Sequence, residues 1–169
     1  MTQVFLSLGS NISRTQNIRA GLNQLETCFG ELRLSPVYES EPVGFEGDCF
    51  YNLVVEIDCS VSLSELTACL KKIEDDNGRQ RGGPKFSARS LDIDILTFGD
   101  VVGTYQGIEL PRAELYFNGF VLLPMAKLAP MSVDAKTGKS YQSLWGSYRE
   151  KIEKKQKLWR VDFVWKASI

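Results

Sequence analysis

EDDNGRQRGGPKFSARSLDIDILTF, residues 74–98, is the stretch around which the rest of this chain is organised. Its run LDIDI alternates apolar and acidic residues with period two, which is typical of a strand with one buried face. The apolar side chains are expected to pack into the core: Leu91, Ile93 and Ile95. Asp92 and Asp94 then stand on the opposite face, about 6–7 Å apart at two strand rises. Two carboxylates held that close repel each other unless a cation lies between them.

A basic segment, expected to be mobile, precedes this strand, and three glycines and a proline interrupt it. Its cations are Arg79, Arg81, Lys85 and Arg89. An acidic pair beside such a segment suits a magnesium-bound polyphosphate, because Mg²⁺ prefers oxygen ligands and typically takes one or two carboxylates together with substrate phosphates. The alternative is a solvated acidic strand next to an ordinary basic surface loop. The combination favours a functional site but does not name a reaction.

Length and charge limit the class of protein. The chain has 169 residues, which predicts one domain spanning residues 1–169. Its net charge of −1 argues against a general nucleic-acid binder. No apolar run reaches the length of a membrane helix, and the first residues lack the features of a signal peptide. We therefore expect a cytoplasmic monomer without nucleic-acid or membrane partners.

Cysteine and histidine content narrows the chemistry. The chain has no histidine, which removes the commonest general base and the Ser-His and Cys-His nucleophile systems. Four cysteines occur without CxxC spacing: Cys28, Cys49, Cys59 and Cys69. We expect reduced, mostly buried thiols and neither a disulfide nor a zinc site.

Periodicity predicts alternating strands and helices along the first hundred residues. The predicted order is a strand at 4–8, a helix at 14–28, an extended segment at 31–39, a strand at 51–59, a helix from 62 to 77 and the strand at 91–98. A capping box formed by Ser62 and Glu65 marks the start of the second helix. This is a βαββαβ, ferredoxin-like α+β arrangement, with a mostly antiparallel sheet and helices on its faces.

The remaining residues predict additions to that core. Residues 101–110 predict one or two short strands, and residues 134–138 a turn. Residues 120–128 look helical, but Pro124 is expected to limit them to a helix start or a kinked turn. A C-terminal helix at 141–157 and a final strand at 159–165 complete the prediction.

Four motifs then occur in the order and at the separations of one enzyme family. They are Gly9-Ser10-Asn11, Phe50-Tyr51-Asn52, Gly78-Arg79-Gln80-Arg81 and the run RSLDIDI of residues 89–95. Over residues 3–130 the chain resembles 6-hydroxymethyl-7,8-dihydropterin pyrophosphokinase. The resemblance implies transfer of pyrophosphate from ATP to the hydroxymethyl group of a reduced pterin, with release of AMP, in folate biosynthesis.

The resemblance also assigns roles on the nucleotide side. It implies that Asp92 and Asp94 hold two Mg²⁺ ions, and that Arg79 and Arg89 act with them in catalysis by contacting the transferring phosphates. The implied ATP-binding residues are Lys71, Glu74, Arg79, Arg81, Phe86, Arg89, Ile95 and Arg112. For Glu74, a salt bridge to a neighbouring arginine is the alternative role.

On the pterin side, the resemblance places the ring between Phe50 and Phe120 and lets Asn52 bind its amide-like edge. Backbone groups at residues 40–43 would complete that edge, through Ser40, Glu41 and Val43. Without the resemblance, ordinary core packing would explain the two aromatic residues equally well.

Four residues depart from the family pattern on the nucleotide side. Arg112 stands where a phosphate-binding histidine is usual, and Asn118 where an arginine usually contacts ATP. Lys71 replaces a glutamine and Phe86 a tryptophan. A divergent pterin-binding relative with weak or lost transfer is therefore the second hypothesis. A third is an RNA-binding ferredoxin-like module, which the acidic pI of about 5.6 disfavours.

Overall fold

The computed structural model describes residues 1–41, 49–78 and 90–166. The strands are β1 (Thr2–Ser10), β2 (Arg33–Leu34), β3 (Val37–Ser40), β4 (Phe50–Cys59), β5 (Asp92–Phe98), β6 (Gly103–Tyr105), β7 (Ile108–Leu110) and β8 (Leu158–Val161). The helices are α1 (Arg14–Phe29), α2 (Leu63–Asp76), α3 (Gly119–Leu128) and α4 (Tyr141–Glu153), with a short 3₁₀ turn at Ala113–Tyr116.

The main sheet has the strand order β5-β1-β4-β3-β8, and the short β2 also pairs with β4. Every strand pairing within the described ranges is antiparallel. In chain order, β1, β3, β4 and β5 are the four strands of a βαββαβ unit, joined through α1 and α2. The predicted ferredoxin-like arrangement is confirmed, and β8 extends the sheet beyond β3.

Helices cover both faces of the sheet. On the first face, the even-numbered residues of β1 pack with α1 and α2: Val4, Leu6 and Leu8. On the second face, Phe5 and Val54 pack with α3 and α4 in a separate cluster that includes Leu122 and Leu144. The alternation along β1 therefore supplies both cores, as expected for a strand that is buried on two sides.

The LDIDI prediction is confirmed. Leu91, Ile93 and Ile95 are buried in the first core, whereas Asp92 and Asp94 are only partly covered and lie on the second face. Helix α2 begins with the predicted capping box, in which Ser62 accepts from the amide of Glu65 and the glutamate side chain accepts from Ser62.

Pro124 does not limit α3 to its first turn. The helix runs without interruption from Gly119 to Leu128 with Pro124 buried inside it. Proline removes one amide donor from the helix. The apolar α3 residues around it are buried in the second core, and this burial outweighs the lost bond.

The C-terminal helix ends earlier than periodicity predicted. It stops at Glu153, and the final strand covers Leu158–Val161 in place of 159–165. Two tertiary contacts explain the difference. The Gln156 side chain accepts a hydrogen bond from the Gly119 amide at 2.7 Å, and Leu158 enters the sheet opposite Ser40.

The expectation of mostly buried thiols is wrong. All four cysteines are free, but only Cys59 is buried; Cys49 and Cys69 are intermediate and Cys28 is exposed. Cys28 lies in the last turn of α1 and Cys69 lies in α2, and their sulfurs are 3.6 Å apart where the two helices meet at the surface. None of the helices in the described ranges has both the length and the apolar character to cross a membrane.

Candidate active site

One row of paired residues crosses four strands of the sheet. Asp92 on β5 is opposite Gly9 on β1, Gly9 is opposite Asn52 on β4, and Asn52 is opposite Tyr38 on β3. Directly opposed residues of antiparallel strands point to the same face. Since neighbouring strands lie about 4.8 Å apart, the backbones of Asp92 and Asn52 are separated by about 10 Å. The row therefore links a carboxylate end and an amide end on one surface.

A second row runs beside the first. Asp94 is opposite Ser7, and Ser7 is opposite Val54. Val54 belongs to the core under α3 and α4, so both aspartates lie on the side of the sheet that these helices cover. Ser7 is a buried hydroxyl within an otherwise apolar part of β1. Its place beside Asp94 was not predicted, although a lone polar residue in VFLSL was the available signal.

Gly9 adds no side chain of its own between the two ends of the row, and the Asn52 amide lies close over it. A Cβ built on Gly9 would lie 3.0 Å from Oδ1 of Asn52 and 3.8 Å from the ring of Phe50. A side chain there would crowd the Asn52 amide. This close approach explains why glycine suits the position in the Gly9-Ser10-Asn11 motif.

The predicted pterin residues on β3 and β4 do come together. Asn52 is buried, and its Nδ2 donates a hydrogen bond to Oγ of Ser40 at 3.0 Å. Phe50 lies two residues along β4 on the same face and is half-buried. Phe120 is half-buried near the start of α3, against the second core. Glu41 is exposed, and its backbone amide donates to the Lys157 carbonyl at 3.4 Å.

Asp94 is the electrostatic centre of the site. Its side chain is 33% exposed, and Nη2 of Arg112 lies 3.6 Å from its Oδ1. Burial first, and then the neighbouring Asp92, raise the pKa of Asp94 to about 7, against the opposing effect of Arg112. The shift shows that the surroundings disfavour a negative charge on Asp94 unless positive charge is added. A divalent cation would supply that charge.

The two carboxylates fit a magnesium site in which the substrate phosphates supply further ligands. The described ranges contain no cluster of three His, Cys, Asp or Glu side chains able to hold a metal. Asp92 and Asp94, two residues apart on β5, would be the share of ligands that this strand contributes. Mg²⁺ commonly accepts such a share, because substrate phosphates and water complete its octahedron.

Glu74 has a structural task at the edge of β5. It is buried at the end of α2, and its Oε2 accepts a hydrogen bond from the amide of Ile93 at 2.8 Å. Ile93 lies between the two aspartates, and β5 is the outer strand of the sheet. The bond satisfies a backbone donor at that edge and fixes the position from which Asp92 and Asp94 project.

Arg112 is tied to the same strand through its backbone. Its amide donates to the Leu96 carbonyl at 2.8 Å, two residues beyond Asp94. Its Nε donates to Oε1 of Glu114 at 2.9 Å. Asn118 donates to the other oxygen of Glu114 at 2.6 Å. The sequence offered no signal for Glu114, because its significance depends on where Arg112 points.

The other predicted nucleotide residues are less directly placed. Lys71 is exposed on α2. The Ile95 side chain is buried in the first core, so any contact of this residue with a nucleotide would come from its backbone. Several predicted residues lie outside the described residues, and their roles stay predictions: Val43, Arg79, Arg81, Phe86 and Arg89.

Comparison with known proteins gives a consistent result. The profile described as 7,8-dihydro-6-hydroxymethylpterin-pyrophosphokinase matches residues 5–130. A 2-amino-4-hydroxy-6-hydroxymethyldihydropteridine pyrophosphokinase from Pseudomonas aeruginosa is 35% identical over 133 residues, which cover 76% of this chain and 81% of that protein. A folic acid synthesis protein from Dictyostelium discoideum is also 35% identical over 133 residues, covering 75% of this chain but 20% of that protein.

A solved structure shares the fold at lower sequence identity. The crystal structure of Plasmodium falciparum HPPK-DHPS with pteroate superposes with a TM-score of 0.73 at 15% identity. The match covers 91% of this chain and 43% of the Plasmodium chain. At that identity the likeness shows the fold alone. The chain spans about a fifth of the Dictyostelium protein and less than half of the Plasmodium one.

Proposed function

The chain belongs to the 7,8-dihydro-6-hydroxymethylpterin-pyrophosphokinase family, and from this premise we propose the reaction that it catalyses. It transfers a pyrophosphoryl group from ATP to the hydroxymethyl group of 6-hydroxymethyl-7,8-dihydropterin, an enzymatic step of folate biosynthesis. The transfer depends on Mg²⁺, with two ions held by Asp92 and Asp94.

The observation that supports this proposal is the row across the sheet. Asp92 and Asn52 face the same side about 10 Å apart, with the bare backbone of Gly9 between them. A pterin whose amide edge met Asn52 would direct its hydroxymethyl group along this row. The acceptor oxygen and the transferring phosphate would then meet near the carboxylates, which is the positioning that such a transfer requires.

Each residue of the row has a separate task in this proposal. Asn52 offers both a donor and an acceptor to the pterin edge, and the hydrogen bond with Ser40 holds its amide in place. Phe50 and Phe120 would stack against the two faces of the ring. Because these three side chains project from the sheet or from α3, they would lose little freedom of their own when the pterin binds.

The carboxylate end handles the phosphates. Bound Mg²⁺ would neutralise phosphate charge and lower the pKa of the substrate hydroxyl, which a site without histidine needs. Asp92 and Asp94 would orient the polyphosphate through the ions, while Arg112 adds a positive charge on the same side. Arg79 and Arg89 would complete the neutralisation of charge on the transferring group.

Product analysis tests the reaction. Protein incubated with ATP, Mg²⁺ and the reduced pterin should release AMP and form the pterin pyrophosphate in equal amounts. Formation of ADP, or no turnover at saturating ATP, would overturn the proposal. Calorimetric pterin binding without nucleotide binding would favour the relative that has lost transfer activity.

Substitution of the carboxylates tests the proposed site. Asp92→Asn and Asp94→Asn should each lower kcat by about 10³-fold or more, since each removes a ligand that stabilises the transition state. Asp58→Asn is a matched control, because Asp58 is an exposed acidic residue on β4 of the same sheet. Its kcat should equal that of the parent protein. Near-parental kcat in either site variant would show that the aspartates are ordinary surface charges.

We also propose that residues 1–169 form a single domain that acts as a monomer in the cytoplasm. Light scattering coupled to size-exclusion chromatography should give a mass near 19.0 kDa. A mass of twice that value would contradict the monomer.

A further inference from the structure

A chain of side-chain contacts runs from the carboxylate end of the site to Gln156, in the segment that joins α4 to β8. It starts at Asp94, where Nη2 of Arg112 lies 3.6 Å from Oδ1. The same guanidinium donates from Nε to Oε1 of Glu114 at the shorter distance of 2.9 Å. Arg112 thus lies between two carboxylates and is held more closely by the one outside the proposed metal site.

The chain continues through two amides. Nδ2 of Asn118 donates to Oε2 of Glu114 at 2.6 Å, and Nε2 of Gln156 donates to Oδ1 of Asn118 at 3.0 Å. Oε1 of Gln156 in turn accepts from the amide of Gly119 at 2.7 Å. Gln156 lies between α4 and β8, 38 residues after Asn118, so the contact is purely tertiary.

The direction of every bond in this chain is fixed by chemistry. A guanidinium only donates and an ionised carboxylate only accepts, so Glu114 must accept from both Arg112 and Asn118. Asn118 therefore turns its nitrogen to Glu114 and its oxygen to Gln156. The Gly119 amide at the far end can only donate, which sets the Gln156 amide in the same sense. No alternative amide orientation satisfies all the groups.

The consequence concerns access to Asp94. A guanidinium and a divalent cation are both attracted to its carboxylate, so a closer Arg112 weakens cation binding and a more distant one favours it. We propose that Gln156, Asn118 and Glu114 are positioning residues that keep the Arg112 guanidinium closer to Glu114 than to Asp94. Through Gln156, the segment that joins α4 to β8 would then set the cation affinity of the site. This inference rests on the proposed role of Asp92 and Asp94 as cation ligands.

Cation binding in the absence of nucleotide gives the direct test. The probe is Mn²⁺, which favours the same oxygen ligands as Mg²⁺ and is followed by electron paramagnetic resonance. Gln156→Ala changes no charge, yet it should weaken Mn²⁺ binding about three- to tenfold, in the lower part of the range of coupling between contacting residues. Arg112→Gln removes the competing cation and should tighten binding by a similar factor of about three to ten.

The double variant separates positioning from general loosening. If Gln156 acts through Arg112, adding Gln156→Ala to Arg112→Gln should cause no further change in Mn²⁺ affinity. Gln142→Ala is the matched control, since Gln142 is an exposed glutamine on α4 outside the chain of contacts. It should leave Mn²⁺ affinity unchanged. Equal weakening by Gln156→Ala in both backgrounds, or Mn²⁺ binding that this substitution weakens in neither, would overturn the inference.

A second measurement does not depend on a metal. Hydrogen exchange of the Arg112 Nε–H, followed by nitrogen-15 NMR, should be several-fold faster in Gln156→Ala because Glu114 is less firmly held. If Gln156→Ala unfolds, Gln156→Glu keeps an acceptor for the Gly119 amide, loses the donor to Asn118 and should speed exchange in the same way. Unchanged exchange overturns the positioning role. Faster exchange in a protein that binds no Mn²⁺ would support it and would count against the proposed metal site alone.

Discussion

Asp94 and Asp134 are two aspartates of one chain in opposite situations. Asp134, between α3 and α4, is fully buried and accepts hydrogen bonds from Tyr116 at 3.0 Å, from Tyr141 at 3.3 Å and from the amide and hydroxyl of Thr137 at 2.9 and 2.7 Å. Asp94 is one-third exposed and faces the Arg112 guanidinium at 3.6 Å. Within the described residues, the first carboxylate meets four hydrogen-bond donors, whereas the second faces one guanidinium at ion-pair distance.

The pKa values of neighbouring groups reflect the same difference. Burial and then hydrogen bonding to Asp134 raise the pKa of Tyr116, and burial and the charge of Asp134 raise the pKa of Tyr141, so both phenols stay protonated as donors. At Asp94, burial and the repulsion of Asp92 raise the pKa of the carboxyl itself. The structural aspartate of this pair is both more deeply buried and better supplied with hydrogen-bond donors than the candidate ligand.

The largest expected effect on the free energy of unfolding comes from removing the Asp134 carboxylate. Asp134→Ala leaves two tyrosine hydroxyls without their acceptor in a buried region, which should lower the free energy of unfolding by about 3 kcal/mol. Urea denaturation measures the change. Asp58→Ala, at an exposed strand position, should change it by less than about 0.5 kcal/mol. A loss below about 1 kcal/mol for Asp134→Ala would break the comparison.

Removing the charge of Asp94 should instead raise the free energy of unfolding when no metal is present. The folded state raises the pKa of Asp94 from its ordinary 3.8 to about 7, so its contribution to stability is full below pH 3.8 and is lost as the pH rises through 7. In EDTA at pH 8, Asp94→Asn should therefore be more stable than the parent protein by about 1–2 kcal/mol, allowing for partial exposure and the lost contact with Arg112.

The pH dependence provides the control for that measurement. The advantage of Asp94→Asn in urea denaturation should shrink towards zero as the pH falls below 3.8, where the parent carboxyl becomes protonated in the unfolded as well as the folded state. Asp58→Asn should show no such trend. A variant that is less stable than the parent at pH 8 would show that Asp94 is as well satisfied as Asp134.

The smallest effect tests whether the Asn52 amide needs a residue without a side chain at position 9. Gly9→Ala would place a methyl group 3.0 Å from Oδ1 of Asn52 and should weaken pterin binding about five- to tenfold by displacing that amide. Titration calorimetry measures the affinity. Gly146→Ala, on α4 with no atom within 4 Å of the added carbon, should leave binding unchanged and stabilise the helix by about 0.5–1 kcal/mol. Equal pterin affinities for the two variants would contradict the assignment of Asn52.

Patterns that repeat within a few residues were sufficient to predict the core fold. Period-two alternation placed Asp92 and Asp94 on one face, and the capping box at Ser62 located the start of α2. Both signals are local, so neither depends on what packs against the element. Together they gave the βαββαβ order from which the strand order follows.

Features that depend on distant contacts could not be predicted in this way. Pro124 remains inside α3 because of what the helix buries, and α4 ends early because Gln156 binds Gly119. Arg112 was interpreted through the histidine that it replaces. Its contact with Asp94 and its support by Glu114 appear only when β5 and the segment after β7 lie together.

The strands on either side of Gly9 also fix the distance between Asn52 and Asp92. The backbones at Asn52 and Asp92 are held about 10 Å apart by two strand spacings, and neither strand can be moved without breaking the ladder. A molecule that engages both ends must be long enough to bridge that interval and flat enough to lie on it. If the proposed substrate engages both ends, this fixed interval limits its length independently of the hydrogen bonds that it makes.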